Sequence, residues 1–218
     1  MKRLTKATLR TALNLLFFTV LGTAILASTF NLTYERIAQS EETAKLKLIN
    51  QVAAQSMYDN ELIKDSITLP ASAQLGTEQD TIAYRGRLKG QPSIIVLEAI
   101  APDGYSGKIG LIVAINYTGV ISGVRVVTHK ETPGLGDYID FAKNPWISLF
   151  AGASHERFQE ADWKVKKDGG QIDYMAGATI TPRAVVKAVH NALHYFEDNR
   201  AKLFAEKATE TQKKAGGK

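Results

Sequence analysis

The segment after Lys108 reads Ile109-Gly110-Leu111-Ile112-Val113-Ala114-Ile115-Asn116-Tyr117 and places an apolar or aromatic side chain at every second position. This alternation has the period of a β-strand. Ile112 falls between the alternating positions, which indicates that part of the other face is also covered. Thr118-Gly119 then predicts a short hairpin turn into a strand over Val120–Thr128. Two earlier runs have the same strand character, Thr81–Arg87 and Ser93–Ala101.

Helical segments flank these strands. Residues Tyr34 to about Gln55 are rich in helix formers, with apolar residues at near-helical spacing. A short helical stretch is predicted around Asp137–Ala142 and a further strand over Asp162–Lys166. Thr181-Pro182 predicts the start of a helix, with Thr181 as N-cap and Pro182 at the first helical position. The buried stripe of that helix is expected to comprise Val185, Val189, Ala192 and Phe196.

The N-terminal region predicts a membrane anchor. No charged residue occurs between Arg10 and Glu35, and a helix over these positions is about 36 Å long, enough for a hydrocarbon core of about 30 Å. We therefore expect a basic N-terminus at 1–10, a transmembrane helix at 11–33, a folded domain at 34–206 and a disordered tail at 207–218. The alternative is a cleaved signal peptide with Gly22-Thr23-Ala24 as its cleavage site, but the apolar run continues through Phe30.

The charge distribution predicts a folded domain outside the cytoplasm and argues against nucleic-acid binding. Residues 1–10 carry four basic side chains and no acid, which predicts a cytoplasmic N-terminus and a periplasmic domain. The two ends carry +4 and +3 of the net charge of +5, which leaves residues 11–206 at −2. A nucleic-acid footprint is not expected on a mildly acidic domain. The chain has no cysteine, which excludes disulfides, thiolate nucleophiles and Cys-ligated zinc or iron–sulfur clusters.

The most informative segment for function is Asp173-Tyr174-Met175-Ala176-Gly177-Ala178-Thr179-Ile180-Thr181-Pro182. Its small residues allow a ligand to approach the backbone closely, and the following helix start offers free N–H groups and a positive dipole end. These properties suit a phosphate group. A plain turn before a helix is the alternative that spacing alone leaves open.

Three features together resemble the G-subunit family of the Rnf ion-translocating electron transport complexes (RnfG, also called RsxG). They are Gly177-Ala178-Thr179 with Asp173 upstream, the run His129-Lys130-Glu131-Thr132-Pro133-Gly134-Leu135-Gly136, and the single N-terminal span. The resemblance covers essentially the whole chain. It implies an α+β fold, in which one transmembrane helix is followed by an FMN-binding domain with an antiparallel sheet plus helices.

The resemblance also implies a covalent cofactor. In this family, and in the similar C subunit of the sodium-pumping NADH:quinone reductase, FMN is joined through its phosphate to the threonine that ends a Ser/Thr-Gly-Ala-Thr motif. That residue corresponds to Thr179, whereas Ala176 replaces the usual Ser or Thr of the motif. Asp173 matches an upstream acid that could hold a metal-bound flavin donor during attachment, or it forms an Asx turn. The resemblance implies that a separate flavin transferase makes the bond.

The run ending at Gly136 is the second candidate site. By resemblance, Glu131, Thr132 and the backbone of Gly134-Leu135-Gly136 lie near the isoalloxazine ring; the alternative is a rigid strand-to-helix turn. His129 and Glu131 could be half of a metal site but lack a clear third ligand.

Other histidines and tryptophans are interpreted without a cofactor. We expect His155, His190 and His194 to be surface or helix-face residues. Trp146 and Trp163 are expected in the core, with Trp146 a lesser candidate for flavin contact.

Taken together, these features predict a single-pass protein of the bacterial inner membrane that carries covalent FMN and relays electrons. Its expected partners are the other subunits of an Rnf-type complex, membrane lipid and, transiently, the transferase. By resemblance, the complex couples electron transfer between ferredoxin and NAD to ion movement. The alternatives are a C subunit-like component of the NADH:quinone pump and a cofactor-free membrane assembly protein. Neither the coupling ion nor an independent enzymatic activity follows from the sequence.

Overall fold

The computed structural model describes residues 2–205. The predicted disordered tail at 207–218 lies outside the described residues. Helix α1 spans Lys2–Val52, so the helix predicted to begin at Tyr34 is continuous with the apolar segment. The part over Thr8–Ile37 is long and apolar enough to cross a membrane. Contacts divide the chain into two units, Met1–Leu46 and Lys47–Lys218.

The second unit is built on a five-stranded antiparallel sheet in which every strand pairs with its neighbour in sequence. The strands are β1 (Ser66–Leu69), β2 (Thr81–Leu88), β3 (Gln91–Ala101), β4 (Ile109–Asn116) and β5 (Ile121–Thr128). The four strands predicted from the alternation are confirmed, and β1 was missed. Helix α2 (Ile180–Phe204) follows after a long irregular region. The α+β fold class is therefore confirmed.

One face of the sheet packs against α2, which crosses β3 and β4. The predicted stripe is confirmed, because Val185, Val189, Ala192 and Phe196 are fully buried. They share one core with the face of the sheet that includes Leu97, Leu111 and Val113. This burial of apolar surface is the main stabilisation of the arrangement.

The other face of the sheet is also covered, as the apolar side chain of Ile112 between the alternating positions predicted. Ile112 is fully buried, as is Val96 in the neighbouring strand. The end of α1 approaches this face closely, since a Cβ at Gly123 would lie 3.2 Å from the Cα of Val52. The hydroxyl of Ser122 donates to the carbonyl of Val52 at 2.8 Å, which holds the two together.

The region between β5 and α2 consists of short 3₁₀ turns rather than strands. Pro145–Phe150 forms one of them and packs against β5. The chain then returns to the edge of the sheet, where the N–H of Ile121 donates to the carbonyl of Ala153 at 2.8 Å and the N–H of Gly152 donates to that of Ile121 at 2.8 Å. The helical stretch predicted over Asp137–Ala142 is a single turn at Asp137–Ile139.

The strand predicted at Asp162–Lys166 is wrong. Glu160–Asp162 is a 3₁₀ turn instead. The side chains of Gln159 and Asp162 cap this turn reciprocally, and a second 3₁₀ turn begins at Lys166, so the residues between the two turns form no strand. Val165 retains a strand-like contact, an isolated bridge to Ile172.

Candidate functional site

Thr179 lies at the start of α2, where backbone N–H groups are free. It is the residue immediately before the helix, and its hydroxyl makes no capping hydrogen bond. Its side chain is half-buried. The positive end of the helix dipole therefore lies beside a hydroxyl that is not committed to capping.

The prediction that Thr181 caps this helix is wrong. Helix α2 begins at Ile180, which places Thr181 and Pro182 inside its first turn. Proline is tolerated there because its missing N–H has no partner within the helix. The hydroxyl of Thr181 instead donates to Oε2 of Glu131 at 2.5 Å, across a separation of 50 residues.

The turn before the helix is held by Tyr138. The phenol oxygen accepts the N–H of Met175 at 3.3 Å and donates to the carbonyl of Ala178 at 3.4 Å. Burial raises the pKa of Tyr138, with the Met175 N–H opposing the shift, so the phenol remains a donor at neutral pH. Gly177 has a φ of +91°, a conformation that favours glycine at this position of the turn.

A hydrogen bond between Trp146 and Asp173 holds the turn before α2 against the core. The indole N–H of Trp146 donates to the carbonyl of Asp173 at 2.6 Å, and Trp146 is almost fully buried. The carboxylate of Asp173 is exposed and pairs with Lys166 at 2.6 Å. Trp146 is thus a core residue that orients the turn through Asp173, as Trp163 is a core residue elsewhere.

Glu131 links the second predicted loop to the helix start. Its side chain is buried, with Oε1 accepting the N–H of Ser106 at 3.0 Å and Oε2 accepting the hydroxyl of Thr181. Its own N–H donates to Nδ1 of His129 at 3.1 Å. A buried carboxylate is tolerated when both oxygens are hydrogen-bonded in this way.

The rest of this loop is a tight turn. The carbonyl of Thr132 accepts the N–H groups of Leu135 and Gly136, each at 3.1 Å. Gly134 has a φ of +75°, and its N–H donates to Oδ1 of Asp137 at 2.8 Å. A Cβ at Gly136 would lie 2.8 Å from Oε2 of Glu131, so only glycine fits without a shift. The side chain of Leu135 is left exposed.

The two predicted segments line one pocket of about 380 Å³. This volume lies within the usual range for small-molecule sites, about 300–1,000 Å³. Asp173 and Gly134 are not part of the lining. The lining residues are Tyr105, Glu131, Thr132, Leu135, Gly136, Gly177, Ala178, Thr179, Ile180 and Thr181.

Three of these residues were not predicted as cofactor-binding residues, although Ile180 and Thr181 belong to the segment quoted for its suitability to a phosphate: Tyr105, Ile180 and Thr181. Tyr105 is exposed and lies between Gly104 and Ser106, in the loop that reaches Glu131. The sequence could have indicated Tyr105, because it is an aromatic residue in a loop that contains glycine. Leu135 and Ile180 are also exposed, so the pocket presents apolar side chains around polar backbone.

The histidines at 155, 190 and 194 do not remain separate surface residues. His190 is buried, and the three rings form one cluster. No other group of three or more metal-capable side chains is found in the part of the chain that the structure describes, so His129 and Glu131 gain no third ligand there.

Comparisons with known proteins identify both parts of the chain. Residues 104–194 match the family described as FMN-binding domain, and residues 1–52 match the RnfG N-terminal region. The G subunit of the ion-translocating oxidoreductase complex from Pseudomonas aeruginosa strain UCBPP-PA14 is 46% identical over 200 residues, covering 92% of this chain and 94% of that protein. The G subunits from Vibrio atlanticus strain LGP32 (46% over 197 residues; 90% and 94%) and Shewanella baltica strain OS223 (44% over 191 residues; 88% and 90%) are also similar.

The fold, the pocket and the apolar N-terminal helix define a membrane flavoprotein with an FMN-binding domain. The chain belongs to the G-subunit family of the ion-translocating oxidoreductase complexes. Its partners are accordingly other subunits of such a complex.

Proposed function

We propose that this chain carries FMN joined by a phosphoester to Thr179 and relays electrons within an ion-translocating membrane complex. The observation that carries the proposal is the pocket in which the Glu131–Gly136 loop meets the Gly177-Ala178-Thr179 turn. When bound, FMN supplies the redox chemistry, and the protein supplies attachment, orientation and electrostatics.

The position of Thr179 supports its role as the acceptor. Its hydroxyl is half-buried at the pocket wall and makes no capping hydrogen bond. The free N–H groups of the first turn of α2 would offset the charge of a phosphate there. Ala176 is exposed, so the hydroxyl that commonly occupies this position is not needed to build the turn.

The remaining lining supports binding of a flat ring system. The side chains of Tyr105, Leu135 and Ile180 offer apolar contact, and the Gly136 backbone allows close approach. Glu131 would act as a positioning residue, because its two oxygens hold the Ser106 loop and the first turn of α2. Asp173 lies outside the pocket lining, where its exposed carboxylate pairs with Lys166. From there it would hold the metal-bound flavin donor during attachment.

Attachment requires an enzyme other than this chain. The hydroxyl is a weak nucleophile without a base, and both oxygens of Glu131 in the pocket wall already accept hydrogen bonds. In the reaction we propose, a flavin transferase supplies the base that takes the Thr179 hydroxyl proton. The Oγ–P bond forms, a phosphoanhydride bond of an activated flavin donor breaks, and the leaving phosphate takes the electron pair.

The N-terminal segment supports a location on the periplasmic side of the bacterial inner membrane. The candidate span covers Thr8–Ile37, and the basic residues before and within its start favour a cytoplasmic N-terminus. Because the chain has no cysteine, single-thiol variants Ala71→Cys and Thr5→Cys can be labelled with a membrane-impermeant maleimide. After the outer membrane is permeabilised, only Ala71→Cys should react. If only Thr5→Cys is labelled, the folded domain lies on the cytoplasmic side instead.

The attachment is tested by coexpression with a flavin transferase. Flavin fluorescence should survive denaturing electrophoresis in the parent and in Thr179→Ser, and disappear in Thr179→Val, which keeps the shape but has no hydroxyl. The intact mass of the parent should exceed that of the unmodified chain by the mass of one FMN minus the mass of one water. A dark parent band, beside a flavinylated control protein, would support the cofactor-free assembly protein instead.

A further inference from the structure

Three histidine side chains converge at a place that the flavin pocket does not include. His190 and His194 lie four residues apart on one face of α2, and His155 comes from the loop after β5. One nitrogen from each ring lies within 4.8 Å of the other two. The ring centroids are 4.3 Å apart for His155 and His194, 4.4 Å for His190 and His194, and 5.2 Å for His155 and His190.

Two of these rings have buried nitrogens without a hydrogen-bond partner. They are Nε2 of His155 and Nε2 of His190. His190 is 8% exposed and stacks on the indole of Trp163, with centroids 4.7 Å apart and planes at 11°. Buried polar atoms in native proteins almost always have a hydrogen-bond partner. These two nitrogens have none, although an oxygen of Glu160 lies 3.4 Å from that of His190 and an oxygen of Glu197 lies 3.7 Å from that of His155, so both can accept a ligand.

Neutral imidazole nitrogens are good ligands for divalent transition metals. The i, i+4 spacing of two histidines on a helix is also a common way to present two ligands to one zinc ion.

We propose that His155, His190 and His194 bind one divalent transition-metal ion, with Zn²⁺ as the ion that the donor set fits best. Zinc takes imidazole nitrogens at about 2.0–2.1 Å, which puts two such nitrogens about 3.4 Å apart in a tetrahedral site. The present separations of up to 4.8 Å are wider, so binding draws the rings inward by side-chain rotation.

Carboxylates lie at the margin of this cluster. Oε2 of Glu160 is 3.4 Å from Nε2 of His190 and 3.7 Å from Nε2 of His194, which makes Glu160 the candidate fourth ligand. Oε2 of Glu197 is 3.7 Å from Nε2 of His155, so a second carboxylate lies beside the cluster.

The role of this ion would be structural. His190 lies 11 residues beyond Thr179 on α2, which is about 17 Å along the helix axis, so the ion is separate from the flavin pocket. It would join the loop that contains His155 and Glu160, where local hydrogen bonds dominate, to the helix that covers the sheet. Metal binding of this kind adds directly to folding stability.

The test uses the full chain in detergent, purified without a polyhistidine tag and freed of metal with a chelator. Calorimetric titration with Zn²⁺ alone should show one ion per chain, and the bound ion should raise the Tm. His194→Gln should weaken binding by more than about 100-fold, the loss that even an outer-shell change can reach. Glu160→Gln should weaken it less.

The controls separate metal binding from folding. His129→Gln removes the one histidine outside the cluster and should bind Zn²⁺ as the parent does. Without metal, His194→Gln should have the Tm of the parent, because its side chain is 39% exposed; if it unfolds, His155→Gln replaces it. The proposal is overturned if the parent binds no Zn²⁺ at stoichiometric concentration, or if the His129 and cluster variants lose binding equally.

Discussion

Replacing Thr181 with Val should destabilise the domain measurably although the shape of the side chain hardly changes. The Thr181 hydroxyl and Glu131 Oε2 are 2.5 Å apart, and the two residues are only 1% and 4% exposed. Valine removes the donor and leaves a buried carboxylate oxygen without it. A hydrogen bond to a charged group contributes about 1.5–3 kcal/mol, so we expect a loss of about 2 kcal/mol.

This loss can be measured by thermal unfolding of the chain in detergent, followed by circular dichroism. For a domain of about 150–250 residues, each kcal/mol shifts the Tm by about 2–4 °C. The expected decrease is therefore about 4–8 °C. Amide exchange should also increase in the Glu131–Gly136 loop, because Glu131 is its link to α2.

Thr68→Val makes the same chemical change on an exposed position of strand β1. It should alter the free energy of unfolding by less than about 0.5 kcal/mol, as surface changes usually do. If Thr181→Val is as mild as Thr68→Val, the contact between Glu131 and Thr181 does not hold the pocket together and the reasoning is refuted.

Two further perturbations test the pocket wall and the edge of the sheet. Gly136→Ala places a Cβ 2.8 Å from Oε2 of Glu131, and such overpacking should cost about 1–3 kcal/mol in urea unfolding; an unchanged midpoint would mean that the loop shifts freely. Burial opposes ionisation of Asp65, but hydrogen bonds from Arg87 and Arg85 outweigh it and lower its pKa. This stabilisation is present above the unfolded pKa of about 3.9 and lost as pH falls below it. Asp65→Asn should therefore be less stable than the parent at pH 7, with the difference shrinking towards pH 2–3; a constant difference would contradict this origin.

The sheet could be predicted well because its strands carry strong alternation and neighbouring strands pair in sequence order. The predicted run Ile109–Tyr117 ends one residue beyond the observed β4. Strand β1 was missed because it has only four residues, too few for a periodic pattern to stand out. Its pairing with β2 depends on contacts such as the ion pairs of Asp65 with Arg85 and Arg87, which are distant in sequence.

The pocket could be predicted only in part. Thr179 and Glu131, which the motifs pointed to, both line the pocket, but the Thr181 hydroxyl expected to cap α2 donates to Glu131 instead. The histidine cluster was missed for the same physical reason. His155 is 35 positions from His190 in sequence, and a local pattern cannot show which residues a long irregular loop brings to a helix face.

The order of the strands has a consequence for how this domain meets other chains. An open sheet has two edge strands, and an unpaired edge can template the addition of a foreign strand. Here β1 presents only four residues, and the start of β5 is already paired through Ile121 with the chain at Gly152 and Ala153. Short and occupied edges resist aggregation. Neighbouring subunits would thus recognise this domain through side chains and loops rather than by extending its sheet.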